Sequence, residues 1–177
     1  IATPGGGAVL ACQSTIGSAP APAPAPASPT RRVLASISST KSVGLSDPGR
    51  LFVPWDLASG DTSGFWNSSI PSKLTVPVGS GITKVRLVGQ LSWQSVPAPQ
   101  KCVLYATIFK NHLWYHDSLP SQSMYIVTTN TPSINMSSPI LDVSEGDYFE
   151  LVAWQNCTAS LNLVSNSAGP TWFSMEE

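Results

Sequence analysis

The sequence predicts an all-β chain, a sandwich or barrel of about ten short strands behind an extended, proline-rich arm. Three observations predict it. Short apolar runs recur along residues 49–177, each closed by Gly, Pro, Asn, Asp or Ser. No stretch carries the 3.6-residue apolar period of a helix. Residues 1–48 are of another kind, with Gly5-Gly-Gly7 and then Ala19-Pro-Ala-Pro-Ala-Pro-Ala-Pro26. Alternating proline lacks the amide donors that a helix or a sheet interior needs, so it favours an extended polyproline conformation.

The domain division follows: an arm over residues 1–48 and a folded knob over residues 49–177. The total of 177 residues suits one ordinary domain with a tail. The chain begins with Ile1 rather than Met, so processing or further residues upstream are expected. Ala8-Val-Leu-Ala-Cys12 loosely resembles a lipoprotein cleavage box, but no charged start or apolar stretch precedes it. Charged residues make up 11% and the formal net charge is −1, so bulk electrostatics give nucleic acid no reason to bind. No run approaches the roughly 18 apolar residues of a membrane-spanning helix, and no membrane partner is expected. A hydrophobic share of 42% with 6 Trp implies more apolar surface than a monomer tolerates, hence self-association.

Strands are expected at 50–55, 65–67, 73–77, 83–93, 102–110, 124–128, 138–143, 148–154, 160–164 and 171–175. Ala58-Ser-Gly-Asp-Thr-Ser-Gly64 separates the first two, Val78-Gly-Ser-Gly81 precedes the fourth, and Val96-Pro-Ala-Pro99 precedes the fifth. Asn130-Thr-Pro132, Ser144-Glu-Gly-Asp147 and Asn166-Ser-Ala-Gly-Pro170 close later ones. In the fourth strand Val85, Leu87, Leu91 and Trp93 share one face while Lys84, Arg86, Gln90 and Ser92 share the other, the pattern of a half-exposed antiparallel strand. The strands at 102–110 and 148–154 are apolar on both faces. A sandwich covers one face only, so a neighbouring subunit is expected to cover the other. This nominates Tyr105, Phe109, Phe149 and Leu151 as subunit contacts.

Leu74-Thr-Val-Pro77, Ile82…Gly89…Trp93, Ala106-Thr-Ile-Phe-Lys-Asn111, Ser138-Pro-Ile-Leu-Asp-Val-Ser-Glu-Gly-Asp-Tyr-Phe-Glu150 and Thr171-Trp-Phe-Ser174 occur in that order. This set resembles the trimeric jelly roll of the complement globular head and tumour necrosis factor superfamily, in the version carried by tailed-bacteriophage fibres and head decorations. The resemblance covers residues 49–175. It departs at Lys110-Asn111-His112, where the family turn has Lys-Asn-Gly, and the Ala-Pro arm stands where complement proteins carry a collagen-like stem. The resemblance implies a ten-stranded jelly roll, a homotrimer, and a structural role in a virion assembled in the host cytoplasm. The reading taken is a capsid decoration, a cement protein or head fibre, bound to the major capsid protein or another virion protein through its arm. Ala19, Pro20, Pro22, Pro24, Pro26, Arg31 and Arg32 are the expected attachment residues. The alternatives are a tail-fibre tip that binds a receptor or host-surface glycan, and a secreted sugar-binding module.

Catalysis is not expected. His112 and His116 flank the only histidine cluster, and in a straight strand residues four apart lie about 13 Å from each other, too far to share an ion. No metal or other cofactor is therefore expected. Gly-x-Ser-x-Gly and the phosphate-binding Gly-x-x-x-x-Gly-Lys are both missing from the sequence. Glu145 and Asp147 read as turn formers rather than as a catalytic carboxylate pair. Three sequons begin at Asn67, Asn135 and Asn156 and count only for a protein secreted by a eukaryote. Trp55, Trp66, Trp114 and Tyr115 lie near loops, where a sugar stacks or a core packs; packing is the reading taken. Of the three cysteines, Cys12, Cys102 and Cys157, the last two pair only if the fold joins their strand ends, and reduced thiols are expected.

Overall fold

Burial alternates along the strands, and that alternation stacks two antiparallel sheets face to face. The computed structural model describes residues 31–38, 43–45, 49–94, 102–113, 121–126, 131–165 and 169–177. Among them are twelve strands and no helix: β1 (Arg32–Ser36), β2 (Val43–Leu45), β3 (Gly49–Phe52), β4 (Leu57–Ser59), β5 (Leu74–Thr75), β6 (Lys84–Ser92), β7 (Cys102–Lys110), β8 (Ser121–Ile126), β9 (Ser133–Asp142), β10 (Tyr148–Gln155), β11 (Leu161–Leu163) and β12 (Trp172–Glu176). One sheet runs β4-β1-β12-β6-β9. The second runs β3-β10-β7-β8, with β5 also paired to β10, and β11-β2 forms a short third pair. The all-β sandwich expected from the sequence is the fold observed.

The boundary expected at residue 48 gives way. β1 pairs with β12 from Arg32↔Glu176 to Ser36↔Trp172, and with β4 on its other side. Val33, Ala35 and Ile37 point inward and are buried. Their period-two stripe is a strand signal, and it lies within the segment read as arm. β2 likewise pairs with β11. The sandwich thus includes Arg31 and Arg32, and the expected strand at 65–67 shrinks to a single bridge, Trp66↔Leu74. The remaining attachment residues, Ala19, Pro20, Pro22, Pro24 and Pro26, lie outside the described residues, as do Trp114 and Tyr115.

Between the sheets pack Trp55, Phe65, Trp93, Phe149 and Phe173, all fully buried, with Trp55 stacked on Phe173 at 6.1 Å between ring centroids. β6 buries Val85, Leu87 and Leu91, and Trp93 just past its end is buried on the same face, as the pattern predicts. Its pairing with β9 slips between Arg86 and Val88. Pro139 has no N–H for a ladder there, and Ser138 makes the repair: its hydroxyl accepts the Leu87 N–H at 2.9 Å and donates to the Pro139 carbonyl at 2.6 Å. At the other end of β6, the buried Thr171 hydroxyl accepts the Ser92 N–H at 3.0 Å and donates to the Val164 carbonyl at 2.6 Å, closing the seam into β12.

Candidate interaction surfaces

Each sheet turns one face outward, and the cross-strand registers fix what it shows. On the β4-β1-β12-β6-β9 sheet one row reads Leu57, Ser36, Trp172, Gln90, Asn135. The next reads Ser59, Leu34, Ser174, Val88, Ser137. The third brings Arg32, Glu176 and Arg86 side by side. The centre of this face is therefore apolar or small, and its charge sits along one margin. Leu34 is 41% exposed and Leu57 50%, large values for leucines on a sheet. A depression of about 300 Å³ lies among Leu34, Val88, Trp172 and Ser174.

The outer face of the β3-β10-β7-β8 sheet differs. Arg50, Trp154 and Tyr105 form one row, and Phe52, Val152 and Thr107 the next. Phe52 and Phe109 stand on strands that flank β10, yet their rings meet edge to face at 5.6 Å. They bridge over β10. Beneath and beside that bridge Glu150 and Val152 are buried although both point away from the core. His112 stacks on Phe52 at 4.7 Å, and its Nδ1 lies 3.0 Å from Glu150 Oε2, while the Ser72 hydroxyl donates to Glu150 Oε1 at 2.9 Å.

His112 is held there by the turn that follows β7. Asn111 and His112 both take positive φ, 53° and 63°, and the backbones of Lys110 and Leu113 exchange hydrogen bonds across them. These are the marks of a two-residue hairpin turn of the type that favours Asn-Gly. His112 occupies the glycine position at a steric cost. Asn111 braces the turn: its Nδ2 donates to Asp147 Oδ1 at 2.8 Å, and its Oδ1 accepts the Tyr148 N–H at 2.9 Å. Burial works to raise the Asp147 pKa, but the Lys110 ammonium at 2.7 Å, the Asn111 amide and the Ser144 N–H outweigh it and hold the carboxyl below its usual value. Backbone N–H groups of Gly79 and Gly81 hold Glu145 low in the same way.

Several nominated residues find other duties. Phe149 and Leu151 are 0% exposed and face the opposite sheet, so neither meets a second subunit; β10 presents Tyr148, Glu150, Val152 and Trp154 outward instead. Tyr105 and Phe109 do lie on the outer face. Arg31 grips Glu177 through two hydrogen bonds of 2.6 and 2.7 Å, and its third contact is the Ser80 carbonyl, so its guanidinium ties the first and last described residues together. That hydrogen-bonded pairing raises the Arg31 pKa and lowers that of Glu177. Trp55 is buried, which removes it from any sugar-binding role, and Trp66 packs partly against the core. Asn67, Asn135 and Asn156 are all exposed. Among the described residues no three of His, Cys, Asp and Glu converge.

The reduced-thiol expectation is corrected. Cys102 and Cys157 are joined in a disulfide, both buried. The β7–β10 pairing carries the start of β7 to the end of β10, where Asn156 Oδ1 also accepts the Val103 N–H at 2.7 Å.

No protein-family model and no curated protein matches this chain. Among solved structures, the Eiger TNF of S. frugiperda superposes with a TM-score of 0.51 at 12% sequence identity, over 85% of this chain and 93% of that one. This likeness shows the fold, a TNF-like jelly-roll sandwich.

Proposed function

We propose that this chain is a homotrimeric, non-catalytic knob on the surface of a tailed-bacteriophage particle, a capsid decoration held through the residues that precede its sandwich. The observation that carries self-association is the β4-β1-β12-β6-β9 face, with Leu34 and Leu57 exposed beside Trp172 and Val88, small serines between them and charge at the margin. Apolar centres with polar rims are the anatomy of protein–protein contacts. The jelly-roll fold supports the trimer, and the motif resemblance supports the particle. The Cys102–Cys157 disulfide suits a protein that works outside a reducing cytosol, virion surfaces included. Three linked copies turn a weak particle contact into a lasting one by effective concentration.

Light scattering on the full chain tests the assembly. Three subunits are expected. Leu34→Glu should yield single subunits that keep a β-type circular dichroism spectrum, because burying an unpaired carboxylate costs several kcal/mol. A one-subunit mass for the unmodified chain overturns the proposal. Particle binding is tested separately by removing residues 1–30. A longer deletion, to residue 45, would take β1 and β2 with it. The shortened knob should remain trimeric and fail to decorate particles; decoration equal to that of the full chain refutes attachment through the arm.

A further inference from the structure

The second outer face holds a groove that the trimer contact does not use. It measures about 500 Å³ and is lined by Arg50, Tyr105, Thr107, Phe109, Val152 and Trp154. The registers explain its shape. Val152 and Thr107 sit opposite each other and are short, so they make a floor. Trp154 pairs with Tyr105 on one side of that floor, and Glu150 pairs with Phe109 on the other. Those flanking rows stand four residues apart, about 13 Å along the strands, room for one extended peptide across the sheet. The walls are set in advance, since Arg50 lies over the Phe109 ring at 5.8 Å and over the Phe52 ring at 5.4 Å. Thr107 Oγ1 is buried and has no hydrogen-bond partner. A buried hydroxyl without a partner calls for an explanation, and this one belongs to a residue that lines the groove.

The chemistry of the groove selects its occupant. The walls are aromatic, the polar lining groups are few, and Arg50 and Thr107 both carry hydrogen-bond donors. A sugar brings many hydroxyls that would go unanswered. A polyproline peptide brings apolar rings that pack on aromatic faces, and carbonyls with no internal partners that look for donors. This chain contains such a segment, Ala19-Pro-Ala-Pro-Ala-Pro-Ala-Pro26, separated by four residues from Arg31 at the sandwich rim. We propose that the groove is a docking site for an extended proline-rich peptide, and that its occupant is Ala19–Pro26 of the same or a neighbouring copy. The inference deepens the decoration reading: with the repeat seated on the knob, residues 1–18 are left to make the particle contact.

The test uses the full chain with Pro20, Pro22, Pro24 and Pro26 all replaced by Ser, which vacates the groove. An acetylated, amidated (Ala-Pro)₄ peptide is titrated into it and followed by amide and indole NMR shifts. Saturable shifts at Thr107, Val152 and the Trp154 indole are expected. The unmodified chain should bind the peptide several-fold more weakly, because its own segment competes. In the four-serine background, Trp154→Ser should weaken binding at least tenfold. Thr107→Val keeps the side-chain shape and removes only the hydroxyl, so it keeps the proposal falsifiable if the first variant misfolds; a several-fold loss is expected from it. No saturable shift at millimolar peptide, or binding indifferent to both variants, overturns the proposal. So does a groove that responds instead to maltose or to protein concentration alone, since the occupant is then a sugar or a second copy. These outcomes leave the light-scattering mass and the particle assay untouched, so failure here is distinguishable from failure of the decoration reading.

Discussion

Reducing the Cys102–Cys157 bond should cost this protein a large part of its stability. The cross-link spans a sequence separation of 55 residues. Loop-closure entropy lost from the unfolded chain grows with the logarithm of that span, and for this length it is worth about 4 kcal/mol at 25 °C. Small domains hold only about 5–15 kcal/mol in total. At a urea slope of about 2 kcal/mol/M the midpoint should fall by about 2 M, and the melting temperature by roughly 8–16 °C. The native state gives little back on reduction. Both sulfurs are buried, and the β7–β10 ladder and the Asn156–Val103 hydrogen bond stay in place, so the effect belongs to the unfolded state. The assay is urea unfolding at one fixed protein concentration, read by tryptophan fluorescence, with and without reductant, and repeated on the Cys102→Ala, Cys157→Ala double variant. Concentration must be fixed because an assembly makes stability depend on it. Non-reduced peptide mapping should recover the two cysteines linked. Reduced and oxidised chains that unfold within about 1 kcal/mol of each other would refute the loop-closure reasoning.

Two further outcomes follow from the turn chemistry. His112→Ala keeps the left-handed strain and strips a partner from buried Glu150, so it should destabilise by about 1–3 kcal/mol, whereas His112→Gly should recover about 1 kcal/mol of that loss by relaxing the backbone; paired denaturation curves read the difference. Asp142, Glu145, Asp147 and Glu177 all have folded pKa values lowered by hydrogen bonds or cations. Their unfolded values lie near the ordinary range of about 4, so the stability they contribute is present above that range and is lost as pH falls through the lower folded values. Thermal melts should hold steady from neutral pH to about pH 5 and drop below pH 4. A melting temperature that stays flat down to pH 3 contradicts the assignment.

Strand identity was legible wherever a period-two pattern ran long enough. β7 occupies the residues its alternation indicates, and β10 runs one residue further, to Gln155. β9 begins five residues earlier than expected. In that early half buried Ile134 and Met136 alternate with Asn135 and Ser137, and the polar residues there resemble a loop more than an edge face. β2 and β4 hold three residues each, too few for any period to show. β1 had its stripe in plain view at Val33, Ala35 and Ile37, but the neighbouring Ala-Pro repeat governed the composition of the whole segment. The disulfide was beyond reach, because a separation of 55 residues carries no information on distance until the β7–β10 pairing is known.

The site was harder to read for a physical reason. A strand that is apolar on both faces needs a second cover, and the nearest inference from sequence is another subunit. Here the chain supplies much of that cover itself. β3 and β7 flank β10, so their backbones stand roughly 9.6 Å apart. Phe52 and Phe109 close that gap with rings 5.6 Å apart, and Val152 is 1% exposed in a single chain. What stays open on this face is a groove, not a flat patch. On the other sheet Leu34 and Leu57 stay exposed on the strands themselves. A charge placed on each face separates the two assignments. Tyr105→Glu should leave the mass of the assembly unchanged and abolish binding of the Ala-Pro peptide, while Leu34→Glu should dissociate the assembly and leave peptide binding intact. If Tyr105→Glu dissociates the subunits and Leu34→Glu does not, the contact lies on the β7–β10 face after all, and the groove is then part of it.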